Sequence, residues 1–160
     1  MRTLKDAFLI SAAVFLLLQI TYYSQMPDNV AIHFNSNGEV NGRMPKKANL
    51  ILSCLIIVIV TSAFIVIPHI LKTASPNLIN VPKKDYWLSP QNKDRLINIV
   101  TGHIYFIGLA TNLFMIYLFH QLYRFNIHVI DNVSMIMIIP YLFCIFGSII
   151  HLLVRLNKCA

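Results

Sequence analysis

The chain has 160 residues, 57% of them hydrophobic and only 12% charged. A soluble domain carries about 25% charged residues, so this composition excludes an ordinary cytosolic domain and points to a membrane, with length for one domain over 1–160. The net charge of +7 would suit nucleic acid, but the basic residues flank apolar blocks, where they meet anionic lipid and set topology. The expected partner is therefore the lipid bilayer, and nucleic acid is excluded.

A helix needs roughly 20 apolar residues to cross a hydrocarbon core about 30 Å thick. Four blocks meet or approach this, giving predicted spans at about 7–23, 48–71, 96–123 and 133–154. The first follows Arg2 and Lys5 as a secretory signal would. However, "QITYYSQMP" has no pair of small residues for cleavage, so an uncleaved span is expected, with Tyr22 and Tyr23 as interfacial anchors.

Between spans one and two lies "AIHFNSNGEVNGRMPKK", polar and rich in turn formers. "VAIHF" has strand composition, and Asn37-Gly38 is the pair favoured where both central turn residues take positive φ. Asn41-Gly42 is a second turn signal. The stretch predicts a short hairpin or compact loop, with Phe34 turned to apolar side chains and His33 to the opposite side. A calcium loop starting at Asn37 would need Glu at its twelfth position, where Ala48 stands.

After span two, "NVPKKDYWLSPQNKDR" carries Tyr86 and Trp87, which suit the head-group region. Ser89 is positioned to cap a short helix starting at Pro90. Within the spans, Pro68 is placed to end the second helix, and Pro140 to kink the fourth. Gln19, Thr101, Thr111 and Asn112 can hydrogen-bond between helices, and the central Asn112 most needs a partner.

Lys and Arg are split nine to four between the two sides, counting both termini and the 72–95 loop together. The excess predicts cytoplasmic termini and an extracytoplasmic first loop. His120 and His128 then lie near the outer surface, while His69, His103 and His151 share one depth toward the cytoplasm. Three imidazoles at one level could hold zinc or relay protons. Cys54, Cys144 and Cys159 form no CxxC and no even-numbered disulfide framework, and Cys159 lies in no CaaX box.

Two segments resemble a known family. "MPDNVAIHFNSNGEVNGRMPKK" is similar to the signature of the bacterial membrane family named domain of unknown function 1648, whose motif positions are filled here by Pro27, His33, Phe34, Asn35, Gly38, Glu39, Gly42 and Lys47. "INVPKKDYWLSPQNKDR" resembles a second family segment through Asn80, Pro82, Tyr86, Trp87 and Leu88. The same module forms the N-terminal part of SdpI-type immunity proteins, which protect a cell from a secreted peptide toxin. The resemblance implies a place in the bacterial cytoplasmic membrane and no known reaction.

The expected fold is an all-α integral membrane protein, with four transmembrane helices and a turn-rich, hairpin-like outer loop. No hydrolase, metalloprotease, P-loop or dinucleotide motif occurs, and the six carboxylates are scattered one or two to a loop. A non-catalytic binding, protective or accessory module is expected, without cofactor, whose outer loop meets an envelope peptide or another membrane protein. The alternative is a small metal-binding or proton-coupled transporter built on His69, His103 and His151.

Overall fold

A computed structural model of the chain describes residues 2–158, so Cys159 lies outside the described residues. Four helices are long and apolar enough to cross a membrane: α1 (Arg2–Tyr23), α2 (Lys46–Thr73), and two later ones over Lys93–Asn126 and Ile138–Lys158. Between α1 and α2 a two-stranded antiparallel sheet forms from β1 (Asn29–Phe34) and β2 (Val40–Pro45). Between α2 and the third long helix stand a 3-10 turn (Pro76–Leu78) and one helical turn, α3 (Lys84–Trp87). The last two long helices are α4 (Lys93–Asn126) and α5 (Ile138–Lys158).

The helices α1, α2 and α4 pack on one another, and α5 leans on α4. Apolar contact in the bundle centres on Phe15, Ile57 and Ala12, and on the Phe8 ring set edge-on to Phe64 at 6.0 Å. Polar residues tie the same three helices. Asn112 Nδ2 donates to the Phe8 carbonyl (3.3 Å) and to Ser11 Oγ (3.1 Å), so the expected partner of Asn112 is α1. Gln19 Oε1 accepts from Ser53 Oγ at 2.8 Å and from the Tyr123 hydroxyl, joining α1 to α2 and α4. Such bonds in lipid average about 0.6 kcal/mol each. Outward positions are hydrocarbon: Ile20 is 71% and Phe143 76% exposed. In water that would be a large sticky patch; in a bilayer it faces its own kind.

The structure corrects several local expectations. Pro68 does not end α2, which runs on to Thr73. The fourth helix starts at Ile138, not at residue 133, so Pro140 falls in its first turn rather than at its centre. An N–H there has no helical partner to lose, and Pro140 needs no kink. Ser89 caps nothing: its hydroxyl donates back to the Tyr86 carbonyl at 2.8 Å, and residues 90–92 form a turn. The helical turn of this loop lies earlier, at α3. Trp87 is wholly buried, packed on Leu96, Ile99 and Leu156, with Nε1 donating to the Leu156 carbonyl at 2.9 Å. It therefore locks the end of α5 to the start of α4 instead of floating among head groups.

Candidate functional site: the hairpin cap and the opposite groove

The hairpin begins with a sharp exit from α1 at 24–28. Its strands pair Asn29 with Pro45, Val30 with Met44 and Ala31 with Arg43, and the register shifts on either side of His33. The strands are joined through residues 35–39, where Asn35 and Glu39 close a three-residue turn. Asn35 N–H donates to the Glu39 carbonyl (2.9 Å) and Gly38 N–H to the Asn35 carbonyl (3.0 Å). Gly38 has φ +82°, while Asn37 is not among the positive-φ residues. This is a tight turn followed by one left-handed glycine, the usual three-residue hairpin, not the doubly left-handed turn expected of Asn37-Gly38.

The Asn35 side chain braces that loop. Its Oδ1 accepts from the N–H groups of Asn37 (3.0 Å) and Glu39 (2.9 Å), and its Nδ2 donates to Glu39 Oε2 at 2.8 Å. Asn41-Gly42 is no second turn but lies inside β2. There Gly42 faces His33, and a Cβ on Gly42 would sit 2.9 Å from the His33 Cβ. Close approach therefore accounts for this glycine. The His33 ring hydrogen-bonds through Nδ1 to Asn41 Oδ1 on the exposed side.

The other side of the hairpin is fastened to the bundle. Phe34 meets Phe125 edge-to-face at 4.9 Å, so Phe34 and His33 part as alternation requires. Val30 and Met26 bury themselves against Tyr123. Asn126, at the last turn of α4, accepts from Ala31 N–H (2.7 Å) and donates to the Ala31 carbonyl (3.0 Å). Lys46 ties the base through Asp28 (3.1 Å) and stands over the Tyr23 ring. The family-motif Lys47 is exposed, as is Pro27. Asn126, Tyr123 and Lys46 were not singled out by the sequence. Only the adjacency of Lys46 to a recognised motif could have flagged one of them.

At the other end of α4, two of the three histidines His69, His103 and His151 come together. His103 Nε2 and His151 Nδ1 are 3.0 Å apart, and His103 Nδ1 is 2.9 Å from the Ile99 carbonyl. His69 does not join them: it is exposed on α2, which packs on α1 and α4, whereas His151 belongs to α5. Among the described residues no three His, Cys, Asp or Glu side chains gather as a metal would require. The pair lines an open groove of about 1110 Å³ between α4, α5 and the first turn of α1, which Arg95 and Arg155 also line. From the second loop motif, Trp87 lies beneath the Arg95 guanidinium at 5.8 Å. Tyr86 and Leu88 pack around it, and Asn80 is exposed with Pro82 half-buried nearby in sequence.

These features define the class: a polytopic helical chain, with four helices fit to cross a membrane, capped at one end by a clamped β-hairpin. Residues 9–59, from α1 through the hairpin into α2, match the family described as Domain of unknown function (DUF1648), as the first sequence resemblance implied. The 79–95 segment lies beyond that match. No curated protein and no solved structure matches the chain.

Proposed function

We propose that this chain is a non-catalytic module of the bacterial cytoplasmic membrane, with both termini inside, that presents its hairpin to an envelope peptide or another membrane protein. The observation that carries this reading is the clamp between Asn126 and Ala31. A connector between two helix ends needs no such attachment. Held by one face, the hairpin keeps its other face, with His33, Asn41 and Arg43, exposed and fixed in orientation. A fixed surface binds at lower entropic cost than a slack one. The Lys and Arg split of nine to four supports an outward-facing hairpin, and the likeness to the SdpI-type module supports a protective role.

The experiment is photocrosslinking in living cells from a reactive residue placed at Asn37, on the exposed tip. A defined adduct is expected from the otherwise unaltered chain and not from Asn126→Ala. Adducts identical to those from Leu55, on the apolar exterior, would refute a dedicated hairpin partner.

The second reading, proton-coupled transport, keeps one observation in its favour: the His103–His151 contact in a groove open at the surface of the helix bundle. It loses His69.

A further inference from the structure

The groove between α4 and α5 is graded along its length. On α4 the lining runs from Arg95 through His103 to Phe106, and on α5 from Arg155 through His151 to Phe143. Both helices therefore pass from cationic to aromatic in the same direction. Among the described residues no carboxylate lines it. A smaller cavity of about 220 Å³ shares Phe106 and Cys144 with it and continues between apolar side chains to Leu113 and Met137. From Arg95 to Phe106 the rise is about 16 Å, at about 1.5 Å per residue, close to half the thickness of a hydrocarbon core.

Two details show room and an unmet bond. Gly102 and Gly147 line the groove from opposite helices, and a Cβ on either would meet nothing within 4 Å. Ser148, also in the lining, is 8% exposed, and its hydroxyl has no hydrogen-bond partner. The hydroxyl oxygen itself is sealed from the groove, so polar contact with an occupant falls to Arg95, Arg155 and the histidine pair.

We propose that the groove is a binding site for one anionic phospholipid, its phosphate among Arg95, Arg155 and His151 and an acyl chain laid past Gly102 and Gly147 toward Phe106. The histidine pair suits this role. The Ile99 carbonyl only accepts, so His103 Nδ1 carries a proton, and neutral His103 Nε2 accepts from His151 Nδ1–H. This leaves His151 Nε2 outside the pair, where it can meet the head group. Basic grooves between membrane helices recognise anionic head groups in this way, and a guanidinium offers a phosphate two parallel bonds.

The test is native mass spectrometry of the full chain in neutral detergent, titrated with dioleoylphosphatidylglycerol and separately with dioleoylphosphatidylcholine. One phosphatidylglycerol should bind about 25-fold more tightly than phosphatidylcholine, the product of two arginines each contributing about fivefold. Arg155→Gln should remove about fivefold of that preference. Gly147→Leu should abolish binding of either lipid while the melting temperature holds or rises, because a helical glycine is replaced by a better helix former in open space. Equal binding of both lipids, or wild-type binding by Gly147→Leu, would overturn the proposal. If Gly147→Leu fails to fold, Arg155→Gln decides, since its side chain is exposed: an unchanged preference for phosphatidylglycerol then overturns it.

Discussion

Asn126 holds Ala31 by both backbone groups, accepting from its N–H at 2.7 Å and donating to its carbonyl at 3.0 Å. Ala31 is 1% exposed, so water cannot replace the amide. Asn126→Leu should destabilise the protein in detergent by about 2 kcal/mol or more, given that each stranded buried group costs about 1–3 kcal/mol. Denaturant unfolding followed by circular dichroism measures it; a loss under about 0.5 kcal/mol would mean that the clamp contributes nothing.

Gly38, at φ +82°, should tolerate Val far worse than the exposed Ser36 tolerates Ala. A side chain in that backbone region costs about 1–2 kcal/mol, more when β-branched. Limited proteolysis of the hairpin should be accelerated in Gly38→Val and unchanged in Ser36→Ala. Equal cutting of wild type and Gly38→Val would show a slack loop.

Trp87 is the single tryptophan and is fully buried in protein. Its fluorescence should be blue-shifted and resist quenching by both acrylamide and brominated lipid. Strong quenching by brominated lipid would return it to the head-group region. Trp87→Phe, which loses the bond to Leu156, should loosen the end of α5 and raise proteolysis near Arg155.

Zinc offers a check on the histidines. Any zinc held by the protein should be lost in His103→Ala and retained in His69→Ala, as inductively coupled plasma measurements on purified protein would show. A requirement for His69 would mean that α2 swings to meet α5.

The orientation is tested by a reporter active only in the cytoplasm, fused after the last residue. Activity is expected. An intact but silent fusion would invert the protein and place the hairpin inside.

The four helices and the hairpin were legible because their signals are local: runs of about 20 apolar residues, alternation about His33 and Phe34, and an Asn-Gly pair. The fastening of the hairpin was not, since Asn126 and Ala31 are 95 residues apart and no local pattern marks either. Position along each helix could be read for the histidines, but not direction around its axis. His103 and His151 meet, whereas His69 is exposed on α2 and does not join them. Trp87 misled because a ring with one N–H suits a head-group layer and a protein core alike; the Leu156 carbonyl decided between them. The apolar residues before Ile138 look helical but precede the helix, so a kink at Pro140 was not decidable from hydropathy.

The interval between Ala31 and Asn126 also has a meaning in time. Ribosomes add about 5–20 residues per second, so the hairpin must wait roughly 5–20 s for the residue that anchors it. During that wait the segment matched to the family is made but unfinished, with the Ala31 N–H and carbonyl still seeking partners. Strand-like, unsheltered and freshly inserted, it is then most exposed to proteases and to pairing with a neighbouring nascent chain. Newly made copies should therefore be far more vulnerable than mature ones, and a stall in synthesis before residue 126 should mark the chain for destruction.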